Sequence, residues 1–340
     1  MHERGSPKFE LVPATVRGGI AVKDSRKANA YRVALATGNA VWFIGAYVGI
    51  LTDSSDTAGK LGLSEWIGPK GMMAPPHSHT FEAEGFYIIE GNVDITVGGQ
   101  TFNCDRGDFV YVPKTVPHEF LVKSATAKFL VTITPAGFEE FFRDLSEGPA
   151  KAPTWPFDGG QGVPPLERVI DVGRKFGWKQ EAEPRELSAA IRARIFSAPA
   201  YTGPAFGLNG ALIQFKATRE QTEDRFSVSE WQAPGGWVLP NARYDGQSTT
   251  FYGLDGRFVV TLEDGSRLAV AAGDLVHVPA GVLHSVSAET VLARVLVIAN
   301  DSVVEDAVKR GTELNRPFDA LFGQRSSNAA VVGDEGWANG

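Results

Sequence analysis

A single cysteine, Cys104, stands in the whole chain. Its isolation excludes an intrachain disulfide and any zinc site built on thiolates. Basic runs are just as scarce. Lys and Arg number 33 against 40 Asp and Glu, which leaves a net charge of -7 and a pI near 5.5. No stretch is suited to neutralising a phosphate backbone, so no nucleic-acid partner is expected. Long apolar runs are missing too: none approaches the ~18 residues of a membrane helix. The opening MHERGSPKFE lacks the apolar segment of a signal peptide. The expectation is a cytoplasmic protein without a membrane partner, with secretion left open for a chain trimmed of its leader.

What remains is rich in turns and in core material. The 340 residues include 38 glycines and 20 prolines, with 43% apolar and 10% aromatic content. That length suits two domains, and the turn residues suit many short strands. A shift of 165 positions lays GAYVGILTDSSDTAGKLGLSEWIGPKG (45–71) over GALIQFKATREQTEDRFSVSEWQAPGG (210–236), with SEW in both. FYIIEGNVDITV (86–97) likewise lies over FYGLDGRFVVTL (251–262). One inserted residue later, GDFVYVPKTVPH (107–118) lies over GDLVHVPAGVLH (273–284). A repeat this long is a domain duplication rather than a solenoid. Runs such as VDITV before GGQ and FVVTL before EDGS alternate between turn residues, as hairpin strands do. The fold class is therefore all-β, an antiparallel sandwich or barrel in each half.

The expected division is an N-terminal domain over 1–149, a linker with helical segments over 150–195 and a C-terminal domain over 196–340. The linker opens Pro/Gly-rich and continues as LERVIDVGRKFGWKQ and RELSAAIRARIF, whose apolar spacing is helical. GFEEFFRDLSEG (137–148) reads as a short amphipathic helix. These helices are expected to pack between the domains without touching the site.

Histidines number six, and three gather in the first copy: His77 and His79, two apart and so on one face of a strand, and His118 beyond. Glu84 follows His79 by five. Three imidazoles and a carboxylate suit a divalent transition metal. Glu82 falls outside this spacing and Glu90 precedes the turn glycine, so neither is expected to be a ligand. In the second copy Ala242, Tyr244 and Thr249 stand at the positions of His77, His79 and Glu84, and only His284 is kept. Arg243 nearby would repel a cation. That half is expected to hold no metal, with His277 and His284 as core or pocket residues.

Gly71, His77-x-His79, Glu84 and Gly91 reproduce the first cupin motif, and Gly107, Pro113 and His118 the second. Thr115 and Val122 replace the second motif's usual glycine and asparagine. The chain thus resembles a bicupin, and the resemblance implies two jelly-roll barrels with a few short helices. Among bicupins it is similar to quercetin 2,3-dioxygenases, which hold a metal with three His and one Glu beneath an aromatic pocket. Phe86 and Phe120 stand two residues after ligands, and PAGFEEFFRDL (135–145) resembles the segment closing a quercetinase domain.

The resemblance implies one divalent metal (Cu, Ni, Co, Fe or Mn) on His77, His79, Glu84 and His118, with dioxygen as co-substrate. Glu84 would serve as catalytic base. Tyr47, Met73, Phe86, Phe109 and Phe120 would line the substrate pocket, with Trp66 a further candidate. The implied partner is a small aromatic substrate, and the reaction opens the flavonol ring with loss of carbon monoxide. Another enolisable aromatic or polyketide is the alternative substrate. An oxalate decarboxylase-like enzyme and a non-catalytic binder of small ligands are the alternatives of another kind. Pairing of sheets between copies would be compatible with a homodimer, although no segment marks the interface.

Overall fold

The computed structural model describes residues 30–314 except 35–38, 147, 151–163, 182–184, 243–247 and 301. Among these, the strands form four sheets, two to each copy of the repeat, and every pairing is antiparallel. In the first copy a seven-stranded sheet faces a five-stranded one, and in the second an eight-stranded sheet faces a four-stranded one.

The burial pattern shows what each sheet does. In the five-stranded sheet, Val93–Val97 and His118–Val122 alternate buried with half-buried residues. One face meets the barrel core and the other meets water. The seven-stranded sheet is different: Ala46–Thr52 and Phe109–Val112 are buried at every position. It lies between its own barrel and the other half. Phe86, Ile88, Val110, Phe129 and Val131 point into the N-terminal barrel core. Their neighbours Tyr87, Phe109, Tyr111 and Leu130 point the other way, into a shared layer with Val228, Tyr252, Leu275 and Leu296 of the second half.

That shared layer carries a reciprocal polar clasp. Tyr87 donates to Glu230 at 2.9 Å, and Tyr252 donates to Glu65. Each glutamate also meets a cation from its own half, Arg294 at 2.7 Å from Glu230 and Lys128 at 3.0 Å from Glu65. The glutamates are the middle residues of the two SEW tripeptides, and the tyrosines belong to the two FY pairs. Burial first, and then the facing carboxylate, push both phenols well above their ordinary pKa, so both stay protonated donors. Lys216 approaches Glu230 at 3.5 Å from a position where the first copy has Leu51.

Sheet membership departs from chain order twice. Tyr31–Val33 pairs with Leu275–Val278 in the second half's large sheet, and Phe196–Ala198 pairs with Phe109–Val112 in the first half's. Each half thus lends a short strand to the other, which the expected limits 1–149 and 196–340 do not show.

The linker also differs from its helical reading. Leu166–Gly173 is helical and a short turn covers Arg174–Phe176, but Gly177 takes a φ of +71° and ends the run. Trp178–Gln180 then forms a strand on the edge of the five-stranded sheet, paired with His77–His79. Beyond it, among the described residues of the linker, only Ala189–Arg192 is helical. The helix expected at 137–148 is present as Glu139–Leu145.

Candidate metal centre

Two neighbouring strands and a third across the barrel supply the cluster. His77 and His79 lie on Met73–His79, with one residue between them pointing out. His118 opens the adjacent strand and sits directly opposite His77. Glu84 comes from Ala83–Glu90 in the facing sheet. All four side chains are buried, and one ligand atom from each lies within 4.8 Å of the others.

Two of the imidazoles are oriented by the backbone. His77 donates from Nδ1 to the carbonyl of Pro75 at 2.7 Å, and His118 from Nδ1 to that of Val116 at 2.9 Å. A carbonyl only accepts, so the proton sits on Nδ1 and Nε2 is left with a lone pair for a cation. Burial, and then repulsion from His118 and His79, hold His77 well below the ordinary imidazole value, in the neutral form that ligates. Burial alone would raise the Glu84 carboxyl. The neighbouring imidazoles of His79 and then His118 bring it below its ordinary value instead.

The donor set fits a metal on a second ground. Both ring nitrogens of His79, Nε2 of His118 and Oε2 of Glu84 are buried without an aligned hydrogen bond. This holds even though His118 Nε2 lies 2.8 Å from Glu84 Oε2 and His79 Nε2 lies 3.5 Å from Glu84 Oε1. Each such atom costs about 1–3 kcal/mol if left unserved. A cation at the focus of the cluster serves His79 Nε2, His118 Nε2 and Glu84 Oε2 together, and three nitrogens with one oxygen suit the series from Mn to Zn. Among the described residues no second group of this kind converges. Ala242 sits opposite His284 as His77 sits opposite His118, while Arg243 and Tyr244 lie outside the described residues. His284 still makes the backbone contact of its counterpart, Nδ1 to the Val282 carbonyl at 2.9 Å.

Above the cluster is a small chamber with about 50 Å³ of free volume. Phe86, Phe120 and Trp66 line it, together with Phe43, Phe138, Phe141, Phe142 and Trp178. Tyr47, Met73 and Phe109, expected in this wall, lie elsewhere for reasons of strand geometry. Tyr47 and Phe109 occupy the outward faces of doubly buried strands, packed with Ala40 and Ile67 and with the inter-half layer respectively. Met73 shares the parity of His77, but the pairing slips between His118 and Phe120. This bulge brings Ala74 to the chamber and leaves Met73 46% exposed. Glu90 is exposed, whereas Glu82 is buried at 7%.

Three features of the wall escaped the sequence reading. Trp178 stacks on His77, with centroids 5.5 Å apart and an angle of 24°. Phe138 meets His79 edge-on at 4.3 Å. Phe141 and Phe142 extend that cap from the helix Glu139–Leu145, and Glu139 anchors its start by accepting from Ser54 N at 2.7 Å. The segment 135–145 carried a signal for the phenylalanines, since its likeness to a domain-closing piece was visible. Trp178 had none beyond the glycine before it.

Two facing antiparallel sheets, built twice in one chain and enclosing in the first copy three inward histidines and a glutamate, define a bicupin. Residues 65–133 and 231–299 both match the cupin domain family. The chain thus carries two cupin domains, and its similarities support a bicupin of the quercetinase type. It is 24% identical over 227 residues to the quercetin 2,3-dioxygenase of Bacillus subtilis, an alignment covering 64% of this chain and 66% of that one. Against the quercetin 2,3-dioxygenase of Aspergillus japonicus it is 22% identical over 280 residues, covering 70% and 79%. Solved structures of oxalate decarboxylase share the fold: one superposes with a TM-score of 0.54 at 16% identity, over 85% of this chain and 80% of that one. Another, of the Bacillus subtilis enzyme with its Mn(II) centers, gives 0.53 at 18% identity over the same shares. The chain is cupin dioxygenase-like, and its four converging side chains could hold a metal. No helix among the described residues is long and apolar enough to cross a membrane.

Proposed function

We propose that this protein is a metal-dependent dioxygenase for a flat, enolisable aromatic, with a flavonol such as quercetin as substrate. The observation that carries the reading is the pairing of a cluster of three histidines and one glutamate with a chamber walled by aromatic rings. A bound divalent metal supplies a Lewis acid that lowers the pKa of a substrate hydroxyl. His77, His79 and His118 would hold it through ring nitrogens. Glu84, the one carboxylate in the set, accepts the hydroxyl proton at a carboxylate oxygen facing the chamber. Phe86 and Phe120 stack against the ring system, keep water out and hold the electron-rich carbons toward dioxygen.

Size and polarity bear on the choice of substrate. Oxalate would fit about 50 Å³. Yet among the described residues the lining holds no lysine or arginine, so a dianion would have only the metal to offset its burial among phenylalanines. Sites for drug-sized aromatics usually span ~300–1,000 Å³. A flavonol therefore enters by displacing the cap of Phe138, Phe141, Phe142 and Trp178.

The test is to load the protein in turn with Cu, Ni, Co, Fe and Mn and to add quercetin under oxygen. Dioxygen uptake, carbon monoxide release and loss of the flavonol absorbance are expected, all abolished by Glu84→Ala. His77→Ala is expected to lose the metal as well. Metal-loaded protein that leaves flavonols unchanged overturns the flavonol assignment and sends the search to other enolisable aromatics. Binding without oxygen uptake would make the protein a binder instead of an enzyme.

A further inference from the structure

His79 differs from the other two histidines of the cluster. Their Nδ1 atoms are tied to backbone carbonyls two residues earlier, and so is that of His284 in the second half. Nδ1 of His79 has no hydrogen-bond partner. The group that faces it is Glu82, whose Oε2 lies 3.7 Å away, is buried and is itself without a partner. On the other side of the ring, Nε2 of His79 points to Glu84 Oε1 at 3.5 Å. The ring thus stands between two carboxylates, one at the cluster and one behind it.

We propose that Glu82 is the positioning residue of this metal centre: its carboxylate accepts the Nδ1 proton of His79 and so presents Nε2 to the metal. The inference rests on the metal-centre reading above. When Nε2 ligates, the imidazole proton must reside on Nδ1, and a buried N–H without an acceptor is costly. Glu82 Oε2 is the acceptor in place. Closing the gap from 3.7 Å to the ordinary ~2.9 Å of such a bond takes a shift of less than an ångström. Phe138 against the ring edge limits the alternative of rotating the imidazole away. Glu82 touches no reacting atom in this scheme and acts through His79 alone.

The experiment compares wild type, Glu82→Ala and Glu82→Gln loaded with Co(II). Metal affinity is measured by competition with a chelator, and the exchangeable imidazole N–H signals are read by paramagnetic NMR. Glu82→Ala is expected to weaken Co(II) binding about 10–100-fold. Glu82→Gln keeps an acceptor oxygen at the same place and is expected to recover most of that loss. In the NMR spectrum, one imidazole N–H should shift and exchange faster in Glu82→Ala while the two tied to the backbone stay in place. Since Glu82→Gln is close to isosteric, it carries the comparison if the alanine variant folds poorly. Co(II) affinity of Glu82→Ala within twofold of wild type overturns the proposal. So does a glutamine variant with unchanged N–H signals and an affinity as weak as alanine's, which would make the carboxylate a direct ligand. Wild type that fails to bind Co(II) defeats the metal-centre reading itself, so the two failures are told apart.

Discussion

Trp178 lies nearly parallel to the imidazole of His77, on a three-residue strand that exists only because the linker pairs with the ligand strand. The contact braces one ligand from a segment that lies outside both repeats. Trp178→Ala is expected to weaken metal binding about tenfold, the lower end for an outer support, and Trp178→Phe to keep most of it. The alanine variant should also lose about 3–5 kcal/mol of stability, since Trp178 is 5% exposed. Chelator competition and denaturant melts on the same samples separate the two effects.

The ligand set makes a thermal prediction. A cation that binds only the folded chain adds about 2.7 kcal/mol at a free concentration a hundredfold above its Kd. At roughly 2–4 °C per kcal/mol for a domain of ~150–250 residues, that is a rise in Tm of about 5–10 °C. The rise should vanish with a chelator and be missing in His118→Ala, as calorimetry with and without metal would show.

Acid should destabilise the second half through His277. This residue is fully buried against Thr250, with Nδ1 2.9 Å from the hydroxyl. Burial lowers its pKa from 6.5 to about 4. Between those values the unfolded chain binds a proton that the folded chain refuses, so stability falls as pH drops from about 6.5 to about 4. The loss from this one group approaches about 3 kcal/mol at the bottom of the window. His277→Gln should flatten that part of the stability profile, read from urea melts at a series of pH values.

The inter-half clasp gives an asymmetric pair of variants. Tyr87→Phe removes one donor but leaves Glu230 with Arg294 and Lys216, and a cost of about 1.5 kcal/mol is expected. Glu230→Ala strands Lys216 and Arg294 without their carboxylate and should cost about 3–5 kcal/mol. Chemical denaturation would show the ordering, and a double-mutant cycle with Arg294→Met would show the coupling.

The ligands were legible in the sequence because motif spacing and strand parity fix them together: His77 and His79 share a face whatever the rest of the chain does. The duplication was legible for a similar reason, since it needs only the chain compared with itself. The pocket was less so. Tyr47 and Phe109 sit on strands buried on both sides, where alternation of apolar and polar residues disappears and inward cannot be told from outward. Met73 was misplaced by a bulge that no local residue announces. Trp178 looked helical because its strand is three residues long, and the turn at Gly177 outweighs the apolar spacing before it.

The two halves have also diverged unevenly. The second half has exchanged three of the four ligand positions for Ala242, Tyr244 and Thr249, yet it keeps its share of the clasp in Glu230, Tyr252 and Arg294. Docking and chemistry are therefore separable demands on one scaffold. Ala242 stands in the four-stranded sheet, away from the join. Thr249 shares its strand with Tyr252, whose side chain points the other way into the join. Such positions can change without loosening it. A barrel that has lost its ligands can still serve as the wall against which the other keeps its shape.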